Sequence, residues 1–159
     1  MAMTVQRRKD NKIPKVFMHK VADIRGGVSV VVSELGGDFL REGSVLSAPI
    51  EGKCHVIKLA VLTAEAADNA TEIKVAKGHN FKVGDIIMAA EGGKAYPITK
   101  IVDTEKTADT ITVGTTLGVK ISKGGFIIEA AAESSTTTSA LKYTPLSLVG
   151  TGKPVVQGQ

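Results

Sequence analysis

The chain has 159 residues, of which 43% are hydrophobic and only 4% aromatic, with no Trp and 17 Gly. That is enough apolar material for one folded domain and excludes wholesale disorder, while the shortage of rings argues against a nucleic-acid binder built on base stacking. The formal charge of +4 is unevenly placed, and the single Cys, Cys54, excludes an internal disulfide and any multi-Cys zinc or iron–sulfur site.

Residues 1–25 form a basic arm. They carry Arg7, Arg8, Lys9, Lys12, Lys15, Lys20 and Arg25 against Asp10 and Asp23, so the rest of the chain is close to neutral. Pro14 interrupts any long helix. The arm reads either as a solvated tail or as a docking arm that orders on an acidic partner. The apolar run Val16-Phe17-Met18 beside the charges favours docking, since a purely electrostatic arm has no use for it. No apolar segment follows the basic residues as in a signal peptide, and no run of about 18 apolar residues offers a membrane span. A soluble protein made in a cytoplasm is expected.

Residues 26–133 read as a β-rich domain. Val28, Val30 and Val32 alternate with Ser29, Val31 and Ser33, the period of a strand. Gly36-Gly37 marks a turn, and Asp38–Leu46 leads through Gly43 into Val45-Leu46. His55, Ile57, Leu59 and Val61 alternate with Val56, Lys58 and Ala60, predicting one strand with apolar residues on both faces. Residues 63–70 are too short and uncapped for a helix and predict a loop or a single turn. Ile73 and Val75 point inward from a strand, Gly84-Asp85 launches Ile86–Met88, and Ile98, Ile101 and Val102 follow Pro97. Thr110–Val113 and Phe126–Ile128 complete the set. Short strands with Gly-rich turns predict an all-β fold, a small sandwich or barrel. Residues 134–159 form a Ser/Thr-rich C-terminal extension with apolar anchors at Leu141, Tyr143, Leu146, Leu148, Val155 and Val156. Such a tail lies on its own domain or adds a strand to a neighbour.

An internal repeat runs through the body. Gly43, Gly84 and Gly125 are spaced by 41 residues, and residues 43–68 match 84–109 without gaps at nine of 26 positions. The duplicated units span about 43–75 and 84–113, and a weaker third copy starts at Gly125. Three copies are too few to close a propeller.

The search for chemistry finds no catalytic, cofactor-binding or metal site. Cys54 and His55 are neighbours, so on a strand they face opposite ways and form no thiolate–imidazole pair. Cys54 is expected as a small core residue. His79 has no ligand partners at metal-binding spacing. Glu51, Asp68, Asp85, Glu91, Asp103 and Asp109 are dispersed at turns, and nothing selects a catalytic pair. Asp68 and Asp109 are repeat-equivalent, which predicts a turn role for both.

The order of a basic arm, a Gly-Gly start, Asp38–Leu46, Lys77–Asp85, Thr110–Val113 and a Ser/Thr-rich end resembles the small capsid-associated proteins of tailed phages. The likeness is to the head-fibre, head auxiliary or decoration proteins of phages and prophages of gut Bacteroidales. The resemblance implies a non-catalytic virion protein on the capsid surface. Its partners would be the major capsid protein and sister subunits, in a homo-oligomer with a trimer favoured, and neither membrane nor nucleic acid is expected. Arg7, Arg8, Lys9, Lys12, Lys15, Val16, Phe17 and Met18 are the expected docking residues. The chain has no heptads, so a fibre base, knob or decoration subunit suits it better than a long shaft. The alternative is a binding module for a cell-surface glycan or, through the arm, for nucleic acid.

Overall fold

The computed structural model describes residues 27–37, 39–150 and 153–154, so the basic arm and its docking residues lie outside the described residues. The fold is all-β and sandwich-like. Its strands are β1 (Phe39–Leu40), β2 (Val45–Ser47), β3 (Val56–Ile57), β4 (Leu59–Val61), β5 (Glu72–Ala76), β6 (Ile86–Met88), β7 (Ala95–Val102), β8 (Ala108–Val113), β9 (Phe126–Glu129), β10 (Pro145–Leu148) and β11 (Lys153–Pro154). They form antiparallel sheets of six strands (β4-β9-β6-β7-β8-β5), three strands (β10-β2-β3) and two strands (β1-β11).

The large sheet rolls onto itself. Its outermost strands, β4 and β5, meet through a bridge between Leu62 and Val75, and the Thr63 N–H donates to the Lys74 carbonyl at 2.9 Å. Every strand sends its inward residues into one cluster: Ala60 and Leu62, Ile73 and Val75, Ile87, Tyr96 and Ile98, Ile111 and Val113, and Ile127. This is the alternation of an antiparallel sheet with one face on the core. The small sheet has its own core of Leu35, Leu40, Leu46, Cys54 and Val56. Cys54 is buried there, as a small apolar residue should be.

The repeat is visible as one turn used three times. Gly43, Gly84 and Gly124 have φ of 87°, 94° and 84°, a region in which a Cβ is strained. In each turn the next residue donates its N–H two positions behind the glycine: Ser44 to Arg41, Asp85 to Lys82 and Gly125 to Ser122. Each glycine is followed two residues later by the start of a strand, β2, β6 or β9. The third turn glycine is therefore Gly124, not the Gly125 that constant spacing predicts. A Cβ at Gly125 would instead press on Ile121 and the Ser122 carbonyl. The three glycine N–H groups reach different neighbours, the carbonyls of Val149, Ile98 and Leu62, so equal turns open into unequal pairings.

Three expectations are corrected. Residues 28–33 are not a strand: Val30 makes an isolated parallel bridge to Cys54, and Val32–Glu34 turn as a 3-10 helix. The strand expected over 55–61 breaks at Lys58, where the chain leaves the small sheet for the large one. Asp109 sits within β8 and is buried, so it has no turn role. Of the C-terminal extension, residues 134–150 lie back on the body. Ser134 bridges Ala95, Leu141 bridges Ala130, and β10 pairs with β2.

Candidate functional site

Inward-facing charges gather at one end of the rolled sheet. Lys58 precedes β4, Asp85 precedes β6 and Glu129 ends β9, and these are adjacent strands running in alternate directions. The three side chains therefore meet at the same rim. Lys58 Nζ lies 2.7 Å from Asp85 Oδ2 and 3.5 Å from Glu129 Oε1, with Lys58 and Glu129 both only 2% exposed. Asp85 Oδ2 also accepts the Lys82 N–H at 2.7 Å, closing the glycine turn. The ammonium is thus held between two carboxylates, a fully compensated buried charge. Lys142 adds a second cation, donating to Glu129 Oε1 at 2.9 Å. Burial opposes the charged form of Lys142, but the Glu129 carboxylate more than offsets it and raises the ammonium's pKa.

From Lys142 the polar contacts run on to the small sheet. Tyr143 donates to Glu34 Oε1 at 2.7 Å, and Glu34 Oε2 lies 2.8 Å from His55 Nδ1. The His55 and Tyr143 rings stack at 4.2 Å. Burial pushes the Tyr143 phenol up, and its hydrogen bond to the Glu34 carboxylate adds to this, to about 12. Burial also raises Glu34, but the Tyr143 hydroxyl and His55 outweigh it and hold the carboxyl below its ordinary value. A tyrosine held protonated is a poor base or nucleophile. Its role here is to tie the C-terminal segment to the 3-10 turn.

A second cluster stands where β5 ends and β8 begins. Lys77 donates to Asp109 Oδ1 at 2.6 Å, and His79 Nε2 lies 3.3 Å from Asp109 Oδ2 without the alignment of a hydrogen bond. His79 Nδ1 accepts the Phe81 N–H at 3.2 Å, so the neutral ring carries its proton on Nε2. Burial lowers the His79 pKa and outweighs the pull of Asp109. Among the described residues no group of three His, Cys, Asp or Glu is placed to hold a metal ion.

The apolar surface is distributed differently. On the outer face of the rolled sheet Leu59 pairs with Ile128 and Val61 with Phe126. Leu59, Val61 and Phe126 are exposed, and Ile128 is half-buried. On the small sheet, β10 is an edge strand carrying Leu146 and Leu148, 67% and 52% exposed. A shallow groove of about 190 Å³ runs between Val45, Pro145, Leu146, Ser147 and Leu148. The alternation of residues 55–61 signals apolar side chains on both faces, but the inward set is Val56, Lys58 and Ala60, with Leu59 and Val61 outward. No helix among the described residues is long and apolar enough to cross a membrane. Comparison with known proteins finds no match: no family model, no curated protein and no solved structure aligns with this chain.

Proposed function

We propose that this protein is a non-catalytic structural subunit of a tailed-phage virion, attached to the capsid surface and associated with copies of itself. One observation carries the reading: the buried charged groups pair with one another, while exposed apolar side chains cluster on strand surfaces. The square of Leu59, Val61, Phe126 and Ile128 is a sheet-borne apolar patch of the kind that meets another protein. The basic arm adds charge for an acidic partner surface, and repetition on a shell multiplies a weak single contact.

The test is co-sedimentation of the purified chain with phage capsids lacking it. The full-length protein should pellet with capsids. A variant lacking residues 1–25 should keep the β-sheet circular dichroism spectrum of the full chain but stay in the supernatant. Attachment by that variant would overturn the docking role of the arm. Failure of the intact protein to bind, together with steep salt-dependent binding to DNA, would replace the capsid reading by a nucleic-acid module.

A further inference from the structure

We propose that β10 is a self-association edge, pairing antiparallel with β10 of a second copy across a two-fold axis. The two three-stranded sheets would then join into one of six strands, in the order β3-β2-β10-β10-β2-β3. β10 has β2 on one side and no strand on the other among the described residues. An unpaired strand edge is a template for another strand unless charge, proline or a covering segment blunts it. Here the strand is short, starts at Pro145 and shifts register between Pro145 and Ser147, but no charge guards it: residues 143–152 carry none.

The occupant follows from that neutrality. A chain with a net charge of +4 repels its own copies wherever its charges face each other. At a ten-residue uncharged stretch two copies meet without this repulsion. An antiparallel strand paired with itself is also self-complementary, since every bond from residue i of one copy to residue j of the other is repeated from j to i across the axis. Leu146 and Leu148, exposed in the single chain, would each be covered by the partner, with the groove beside Val45 and Pro145 receiving an aliphatic side chain of the other copy. Removing two such leucines from water is the main driving force expected of so small a contact. The contacts that fix the strand in place are independent of this edge: β10 is already held by β2, by Tyr143 on Glu34 and by Lys142 on Glu129.

The inference rests on the self-association in the proposed function but not on the capsid. Light scattering after gel filtration of the full-length chain, over a range of concentrations, should give a reversible dimer or an even-numbered assembly. The variant L146K/L148K places two like charges on each side of the pair and should raise the dissociation constant about a hundredfold or more, with an unchanged circular dichroism spectrum. Because the native Cys54 is buried, variants with one added cysteine, at Thr144, Leu146 or Leu148, report the register: on oxidation, the one nearest the axis should give a covalent dimer. A monomer at all concentrations, or an assembly that L146K/L148K leaves intact, overturns the pairing. A trimer insensitive to L146K/L148K overturns it while leaving self-association standing. Dimers that fail to bind capsids overturn the capsid reading alone.

Discussion

The rolled sheet is closed differently at its two ends. At one end the loop after β4 and the segment before β9 meet through a backbone bridge between Ala66 and Ile121, and Ala66, Leu117 and Ile121 join the apolar core. At the other end Lys58, Asp85 and Glu129 fill the rim. The first closure is non-directional and tolerates repacking. The second holds only while every charge keeps its partner, because an uncompensated ion in a low-dielectric interior is costly. The ionic end is also where the chain passes between the sheets, at Lys58, and where the C-terminal segment is tied down through Lys142. Apolar closure supplies stability there and then. Ionic closure supplies position, since Lys58 has one place in which its ammonium meets both carboxylates.

Breaking the ionic end should have the largest effect. Lys58→Met leaves Asp85 without a cation and Glu129 with Lys142 alone, and should destabilise the fold by about 3–5 kcal/mol, read from urea unfolding. The double variant K58M/D85N should recover much of that loss, because Glu129 keeps Lys142 and no buried carboxylate is then without a cation. A loss in Lys58→Met below about 1 kcal/mol would show that the rim is wetter than its burial implies. Opening the apolar end is the matched experiment. Leu117→Ala should cost about 2–4 kcal/mol through the lost transfer energy and the cavity left behind, with no dependence on pH. Its partner test at the polar side is the smallest in effect and sharpens the comparison. The folded-state pKa of His79 is lowered from 6.5 by burial. The unfolded chain therefore takes up that proton first. Its stabilising contribution is full above about pH 6.5 and is lost as the pH falls below it. His79→Asn, which keeps an acceptor for the Phe81 N–H, should flatten the decline in stability between about pH 7 and pH 5. An unchanged slope would place the acid sensitivity elsewhere.

Much of the architecture was legible locally. The all-β class, the inward pairs Ile73/Val75 and Ile111/Val113, and the left-handed glycines at 43 and 84 follow from period and turn chemistry within a few residues of each position. Asp85 was legible as the residue that closes its turn. The errors share a cause. Val28–Ser33 has the alternation of a strand but, among the described residues, pairs only through the Val30–Cys54 bridge, and the 3-10 turn that follows carries Glu34 to His55 and Tyr143. Residues 55–61 alternate without a clear apolar face, and only the break at Lys58 decides which set goes inward. Asp109 resembles a turn residue by its repeat partner Asp68, yet Lys77 and His79 draw it into the sheet.

The sequence by itself determined the β-rich character, the glycine turns that start β2 and β6, and the separation of a basic arm from a near-neutral body, because these depend on backbone preference, side-chain period and charge counting. Only the tertiary structure decided where the buried charges meet, which apolar residues remain outside and which strand edge stays open. Lys58 and Asp85 are 27 residues apart and Tyr143 and Glu34 are 109 apart. Such contacts come from the order and direction in which strands pair, and no local pattern of hydropathy encodes that order.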